Sequence, residues 1–223
     1  MLDSNIFKKL ARGPQVVLIK DAAFVSAFTG LNPGDKVIDA GAGSGWLTVY
    51  LASIVGKEGS VTAYERRTEF AEIASKNIVK AGFESVAKVK VADIFLGIEE
   101  TDLDLITLDL AGSPAVLKFA INSLKPKGYV VGFCPNIEQA KDFVIAGEEV
   151  GFTHIKTVEC DEREWLIRPQ GCRPVTMGLR HTSFLTFLRK PKEKLPEIKD
   201  NLENQQSEKT ETISQSNETD LIK

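Results

Sequence analysis

A short apolar strand that runs into a glycine-rich turn, and from there directly into a helix, constrains the fold of this sequence most. The stretch Val37–Gly45 reads VIDAGAGSG, and an apolar helical pattern follows over Leu47–Val55. Glycines let the backbone turn sharply and let a ligand approach where a Cβ atom would collide. The spacing is G-x-G-x-G, which differs from the G-x-G-x-x-G fingerprint of dinucleotide-binding proteins. The sequence therefore predicts a ligand-binding turn after the first strand.

Strands and helices alternate along residues 20–190. Helices are predicted over Asp21–Gly30 (with Asp21 as N-cap), Leu47–Val55, Glu69–Ala81, Ala115–Ser123 and Ile137–Val150. Strands are predicted over Lys36–Ala40, Ser60–Tyr64, Ala87–Ala92, Leu103–Leu110, Tyr129–Cys134, His154–Cys160 and Ser183–Leu188. This alternation predicts an α/β fold with a parallel sheet covered on both faces. Because no helix separates the last two strands, they are expected to form an antiparallel C-terminal hairpin at the edge of a seven-stranded, mostly parallel sheet.

Composition limits the remaining possibilities. With 223 residues, of which 43% are hydrophobic, the chain is expected to form one domain over residues 20–190. Residues 191–223 carry 5 Lys and 8 Asp or Glu, a balance of −3 that equals the net charge of the whole chain, so residues 1–190 are neutral. Residues 191–223 are expected to be a disordered polar tail. No apolar run is long enough for a membrane span and no signal peptide is evident, so a cytoplasmic protein is expected. Cys134, Cys160 and Cys172 form no zinc or disulfide pattern, and no metal site is predicted.

Three acidic residues follow successive predicted strands. Glu65 ends the second strand, Asp93 follows the third, and Asp109 lies at the end of the fourth. Open α/β sheets bind ligands at the carboxyl ends of their strands, so the three carboxylates are expected to face one crevice. Glu65 can accept hydrogen bonds from both hydroxyls of a ribose, and Asp93 suits an exocyclic amine of adenine. The turn, preceded by Asp39, and these acids resemble the cofactor site of class I S-adenosylmethionine methyltransferases, which have a Rossmann-like fold.

Further motifs resemble one family in particular, the tRNA (adenine-N1)-methyltransferases of archaea and bacteria. The resemblance covers roughly residues 10–190. It rests on Arg12-Gly13-Pro14-Gln15, Lys20-Asp21, Gly41–Leu47, Leu108-Asp109-Leu110, Arg163-Glu164-Trp165, Arg173-Pro174 and His181–Leu185. The R-G-P-Q opening and the R-x-W, R-P and H-T-x-x-L ending are far more particular to the family than the glycine turn is.

The resemblance implies a homotetramer that methylates adenine in the T-loop region of tRNA. It implies Asp109 as the catalytic residue, which would orient the base and stabilise its developing charge. Cofactor contacts are expected from Gln15, Asp39, Gly41, Gly43, Ser44, Gly45, Trp46, Leu47, Glu65, Asp93 and Asp109. Gln15 is expected to close the site from the N-terminal segment, residues 1–19.

Substrate contacts are expected from the basic C-terminal part of the domain. Residues 163–190 hold Arg163, Arg168, Arg173, Arg180, Arg189 and Lys190 against Glu164 alone. This stripe is either a phosphate-facing surface or an ordinary solvated face. From it we single out Arg163, Arg168 and Arg173 as tRNA contacts. His181 is added as a candidate substrate residue, although packing beside the last strand is the alternative.

The sequence also departs from the family pattern. Only eleven residues precede Arg12, where relatives carry a small β-rich domain. Leu18-Ile19 replaces Tyr-Pro, and Asp109–Pro114 reads DLAGSP where D-L-P-x-P-W is usual. Alternatives therefore stay open: a small-molecule methyltransferase of the precorrin type, an isoaspartate-repair methyltransferase, or a non-catalytic RNA-binding subunit.

Overall fold

Short runs of buried apolar residues form the strands of one seven-stranded sheet. The computed structural model describes residues 5–13, 15–176 and 181–192. The strands of the sheet are β1 (Lys36–Ala40), β2 (Ser60–Tyr64), β3 (Ala87–Lys90), β4 (Leu103–Leu108), β5 (Leu124–Cys134), β6 (Thr153–Glu159) and β9 (Phe184–Arg189). A separate two-stranded sheet consists of β7 (Trp165–Leu166) and β8 (Arg173–Pro174).

The order of the strands across the large sheet is β3-β2-β1-β4-β5-β9-β6. Strands β1 to β5 pair in parallel, and β9 is antiparallel to both β5 and β6. The predicted fold class, a mostly parallel α/β sheet with an antiparallel C-terminal pair, is confirmed. Within that pair the reversed strand β9 lies inside the sheet, and β6 forms the edge.

Helices cover both faces of the sheet. They are α1 (Ile6–Lys9), α2 (Ile19–Thr29), α3 (Trp46–Val55), α4 (Thr68–Ala81), α5 (Leu117–Ser123) and α6 (Ile137–Glu149). Neighbouring strand residues point to opposite faces. Val37 belongs to the core cluster that includes residues of α1 to α4, and Ile38 belongs to the cluster that includes residues of α5 and α6. None of the described helices is long and apolar enough to cross a membrane.

Several boundaries differ from the predictions. Helix α2 begins at Ile19 with Leu18 as N-cap, so Asp21 lies inside its first turn rather than capping it. Strand β5 begins at Leu124, five residues before the predicted start. The short helix α1 and the β7–β8 sheet were not predicted. Of the predicted polar tail, residues 193–223 lie outside the described residues, as does Arg180.

Candidate active site

The turn after β1 needs glycine at two of its positions, Gly43 and Gly45. Gly43 has φ +55° and Gly45 has φ +77°, values that L side chains rarely adopt. A Cβ on Gly45 would also lie 3.0 Å from the Cβ of Ala74 in α4. Helix α3 begins at the next residue, Trp46. The turn therefore brings α3 close against α4 at the carboxyl edge of the sheet.

Glu65, directly after β2, holds the glycine turn through its carboxylate. Its Oε2 accepts a hydrogen bond from the backbone N–H of Gly43 at 2.9 Å. Its Oε1 accepts from the backbone N–H and the side-chain Nε of Arg67, at 3.0 and 3.1 Å. Burial alone would raise the pKa of Glu65, but these donors outweigh it and the net direction is downward. Glu65 is thus ionised near neutral pH, and about one of its roughly four lone-pair positions is still free for a ligand.

A first cavity, of about 260 Å³, opens at the ends of β1, β2, β3 and β4. It is lined by Gly41, Tyr64, Glu65, Arg66, Arg67, Ala92, Asp93, Ile94, Phe95, Asp109, Leu110 and Ala111. Asp93 caps a single turn of 3-10 helix by accepting a hydrogen bond from the backbone N–H of Phe95 at 3.0 Å. The three acids predicted from the strand ends therefore do share one crevice.

A second cavity, of about 530 Å³, lies beside the first. It is lined by Arg12, Gln15, Val16, Val17, Leu18, Asp21, Asp109, Leu110, Ala111, Phe133, Pro135, Gln139, His181, Thr182 and Ser183. Asp109 lines both cavities, as do its neighbours Leu110 and Ala111. Gln15, predicted to contact the cofactor, lines the second cavity but not the first.

Asp109 is fixed at the junction of the cavities by the sheet itself. Its backbone N–H donates a hydrogen bond to the carbonyl oxygen of Ala40 at 2.6 Å, which continues the pairing of β4 with β1. Asp109 is exposed to solvent where it lines the two cavities, yet protein atoms surround its carboxyl group closely enough to reduce its hydration. This desolvation, together with the negative charge of Asp39, raises the pKa of Asp109 to about 6.

Asp39 lies beneath the site rather than in it. Its side chain is 1% exposed, lines neither cavity, and accepts hydrogen bonds from the hydroxyls of Thr48 at 2.6 Å and Thr107 at 3.0 Å. Desolvation raises the pKa of Asp39 to about 6 despite these two donors. Asp39 therefore influences the site through its charge and by joining β1, β4 and α3.

The N-terminal segment is fastened to the glycine turn by Asn77, a residue that the sequence analysis missed. Asn77 Oδ1 accepts from the backbone N–H of Ala11 at 2.9 Å, while Nδ2 donates to the carbonyls of Ala11 and Ser44, each at 2.8 Å. The hydroxyl oxygen of Ser44 accepts from the N–H of Gly13 at 3.1 Å, and Trp46 Nε1 donates to the Ala11 carbonyl at 3.0 Å. Ser44 and Trp46 thus hold this segment, and Leu47 is part of the core.

A second missed network closes the far wall of the second cavity. Lys20 Nζ donates to Asp21 Oδ1 at 2.8 Å, and to the carbonyl of Cys160 and the hydroxyl of Thr182, each at 2.7 Å. Thr182 in turn donates to Asp21 Oδ2 at 2.8 Å. The buried pair thereby ties α2 to the segments that follow β6 and precede β9.

The predicted substrate residues fall in two places. His181 lines the second cavity, where Nδ1 lies 2.5 Å from Glu159 Oε1 and Nε2 lies 2.9 Å from the Pro135 carbonyl. These two acceptors, Pro135 first, raise the pKa of His181. Arg163, Arg168 and Arg173 are exposed on and beside the β7–β8 sheet, and none of them lines either cavity.

Comparisons with known proteins agree with this geometry. The family described as "tRNA methyltransferase complex GCD14 subunit" matches residues 8–221. A tRNA (adenine(57)-N(1)/adenine(58)-N(1))-methyltransferase TrmI of Methanocaldococcus jannaschii is 36% identical, over 86% of this chain and 77% of its own length. A tRNA (adenine(58)-N(1))-methyltransferase TrmI of Thermus thermophilus is also 36% identical, over 77% of this chain and 68% of its own.

Two solved methyltransferase structures are similar to this chain in fold. A SAM-dependent O-methyltransferase from Thermotoga maritima has a TM-score of 0.81 at 32% identity, with 87% of this chain and 74% of that chain covered. The tRNA (m1A58) methyltransferase TrmI from Aquifex aeolicus has a TM-score of 0.77 at 25% identity, with 86% and 77% covered.

Proposed function

Because this chain belongs to the tRNA methyltransferase family described as the GCD14 subunit, we propose that it methylates N1 of an adenine in the T-loop region of tRNA, with S-adenosylmethionine as the methyl donor. The observation that carries the proposal is the position of Asp109 on the wall shared by two cavities. A transfer between two molecules needs two adjoining sites with a reacting group between them. This arrangement favours a catalyst over a non-catalytic subunit.

The first cavity suits the cofactor in its hydrogen-bond acceptors. S-adenosylmethionine supplies a methyl group bound to a positively charged sulfur. The ionised carboxylate of Glu65 has about one lone-pair position left to accept from a ribose hydroxyl, and Asp93 on the same wall would accept from the adenine amine. Gly41 lines the cavity without a side chain, so the backbone of the turn is open to a ligand. Asp39, Ser44, Trp46 and Leu47 support the turn from behind.

The second cavity suits the target base. Asp109 would accept a hydrogen bond from the adenine amino group, which orients N1 toward the first cavity. As N1 forms its bond to the methyl group, the bond from that carbon to the cofactor sulfur would break and leave a neutral thioether. The positive charge would pass to the base, where the Asp109 carboxylate would stabilise it. Gln15 and His181 border the same space. Arg163, Arg168 and Arg173, farther out, would contact phosphates of the RNA.

Assembly and location complete the proposal. By its family, the protein would act as a homotetramer in the cytoplasm, where tRNA is modified. Light scattering on the purified protein would test the tetramer. A monomer that is fully active would remove assembly from the proposal and leave the reaction unaffected.

The experiment that tests the reaction is a labelling assay. Unmodified tRNA transcript is incubated with the protein and methyl-labelled S-adenosylmethionine, and the labelled nucleoside is identified after digestion. We expect label in N1-methyladenosine, and we expect none with Asp109→Ala, while Asp142→Ala, an exposed acid on α6, keeps wild-type activity. Tight cofactor binding without labelled RNA at any salt concentration would sink the tRNA proposal. Precorrin intermediates and isoaspartyl peptides would then be the next substrates to test.

A further inference from the structure

Helix α1 is a short amphipathic element that is firmly attached to the domain. Phe7 and Leu10 are each 6% exposed and belong to the core on the α1–α4 face of the sheet. The Phe7 ring lies 5.4 Å from the ring of Trp46, centroid to centroid. The hydrogen bonds of Asn77, Ser44 and Trp46 hold the next turn of chain. The segment is therefore a rigid part of the domain surface.

The outward side of this segment is basic. Lys8, Lys9 and Arg12 are exposed, and residues 5–13 contain no acidic side chain. Lys80 of α4 joins them, because its Nζ donates to the carbonyl of Lys9 at 2.6 Å. None of the ion pairs within the described ranges involves these four cations. We call Lys8, Lys9, Arg12 and Lys80 the N-terminal basic strip.

The strip ends at the second cavity. Arg12 lines that cavity, and its guanidinium carbon lies 5.9 Å from the centroid of the Trp46 ring. A nucleic acid whose base enters the cavity must pass its sugar-phosphate backbone over the rim of the cavity. Arg12 on this rim, together with the three exposed lysines beside it on the same segment and on α4, attracts phosphates and releases their counterions. Because the rim is already ordered, binding loses little conformational entropy there.

We propose that the N-terminal basic strip binds the phosphate backbone of the RNA substrate next to the target nucleotide. The inference rests on the proposed function and adds a docking surface to it, separate from Arg163, Arg168 and Arg173. Contacts of this kind position the RNA and carry no base specificity. The strip therefore binds tRNA and an unrelated RNA of equal length with similar strength.

A pair of matched double variants tests this surface. Lys8→Gln/Lys9→Gln removes two charges from the strip and leaves Phe7 and Leu10 in place. Lys57→Gln/Lys88→Gln removes two exposed charges elsewhere: Lys57 follows α3 just before β2 begins, and Lys88 lies on β3. The RNA dissociation constant is measured against salt concentration for tRNA and for an unrelated RNA. The dissociation constant for S-adenosylmethionine and the melting temperature show whether the fold and the first cavity are intact.

We expect the strip variant to bind both RNAs about tenfold more weakly near physiological salt, with a salt slope smaller by about 2. The control variant keeps the wild-type slope, and cofactor binding is unchanged in both. Equal RNA affinities of the two variants would overturn the inference. If the wild-type protein methylates tRNA and the two variants still agree, only the docking surface is wrong. If the wild-type protein labels no RNA, the proposed function itself fails.

Discussion

Asn77 and Ala11, 66 residues apart, exchange two hydrogen bonds: the N–H of Ala11 donates to Oδ1 at 2.9 Å, and Nδ2 donates to the Ala11 carbonyl at 2.8 Å. The same Nδ2 also reaches the carbonyl of Ser44 in the glycine turn. One buried amide thus satisfies backbone groups of two segments that border the two cavities. The position of Arg12 and Gln15 is thereby coupled to that of the cofactor turn.

Replacing Asn77 by alanine should weaken both structure and activity. Asn77→Ala leaves the Ala11 N–H and the Ser44 carbonyl without this partner, while the Ala11 carbonyl keeps its bond from Trp46. Each buried unsatisfied group costs about 1–3 kcal/mol. We expect the free energy of unfolding to fall by about 2–4 kcal/mol. S-adenosylmethionine affinity and kcat/KM for tRNA should fall together, because the turn and the segment loosen at once.

Two variants of the same helix separate this role from a general loss of stability. Asn77→Asp keeps the acceptor for the Ala11 N–H and loses both donors. Its free energy of unfolding and its cofactor affinity should therefore also be lower than those of wild type. Lys76→Ala, at an exposed neighbouring position, should stay within about 0.5 kcal/mol of wild type. Wild-type cofactor affinity in Asn77→Ala would show that the coupling does not exist.

Local patterns were sufficient to predict the strands of the seven-stranded sheet, the glycine turn and the acids at the strand ends. Glycine spacing, apolar runs and the position of Glu65, Asp93 and Asp109 after a strand are all properties of a few neighbouring residues. The parallel sheet then brings the strand ends together by topology alone. For this reason the first cavity was largely predictable.

Contacts between distant segments were not predictable in the same way. Thr182 meets Asp21 across 161 positions, and no local pattern specifies that pairing. For Asn77 a signal was present: it stands on the apolar stripe of α4, next to Ile78, at a position where the helical period favours a hydrophobic residue. The N-cap role expected of Asp21 was wrong because the helix already begins at Ile19. The carboxylate of Asp21 instead accepts hydrogen bonds from Lys20 and Thr182.

The titration of Asp109 predicts how activity depends on pH. The ionised carboxylate is the form that accepts from the base and stabilises positive charge. Since its pKa is raised to about 6, kcat/KM should rise with pH up to about 6 and then level off. Asp109→Asn should remove this limb and lower kcat by about 10²–10³. The check is a pH–rate profile under saturating cofactor, and a limb that persists in Asp109→Asn would assign it to another group.

Asp39 should influence both stability and this pH profile. Its folded pKa of about 6 lies above the ordinary value of 3.8, so the folded state binds the proton more tightly than the unfolded state. The stabilising contribution of this proton to the folded state is fully present below pH 3.8 and is lost as the pH rises through about 6. Asn can replace Asp here, since the Thr107 hydroxyl can donate to the Ile38 carbonyl instead and accept from the new amide.

The free energy of unfolding of Asp39→Asn, relative to that of wild type, should therefore increase by about 2–3 kcal/mol as the pH rises from 4 to 7. Denaturant unfolding at the two pH values measures this difference. The substitution also removes the negative charge that raises the pKa of Asp109, so the kcat/KM limb should move to lower pH. Because the two carboxylates interact, the limb belongs to the pair. An unchanged limb would mean that Asp39 is already protonated where the enzyme works.

The buried pair of Lys20 and Asp21 lends itself to a double-mutant cycle. Their side chains are 10% and 2% exposed, and both also bond to Thr182. Lys20→Met would leave the Asp21 carboxylate buried without its cation, which costs about 3–5 kcal/mol. The double variant Lys20→Met/Asp21→Asn removes both charges and should recover most of this loss in the free energy of unfolding.

The KM for tRNA should not recover with stability in this double variant, because Asp21 and Thr182 line the second cavity. If KM returns to the wild-type value with stability, the pair only supports the fold and does not shape the cavity.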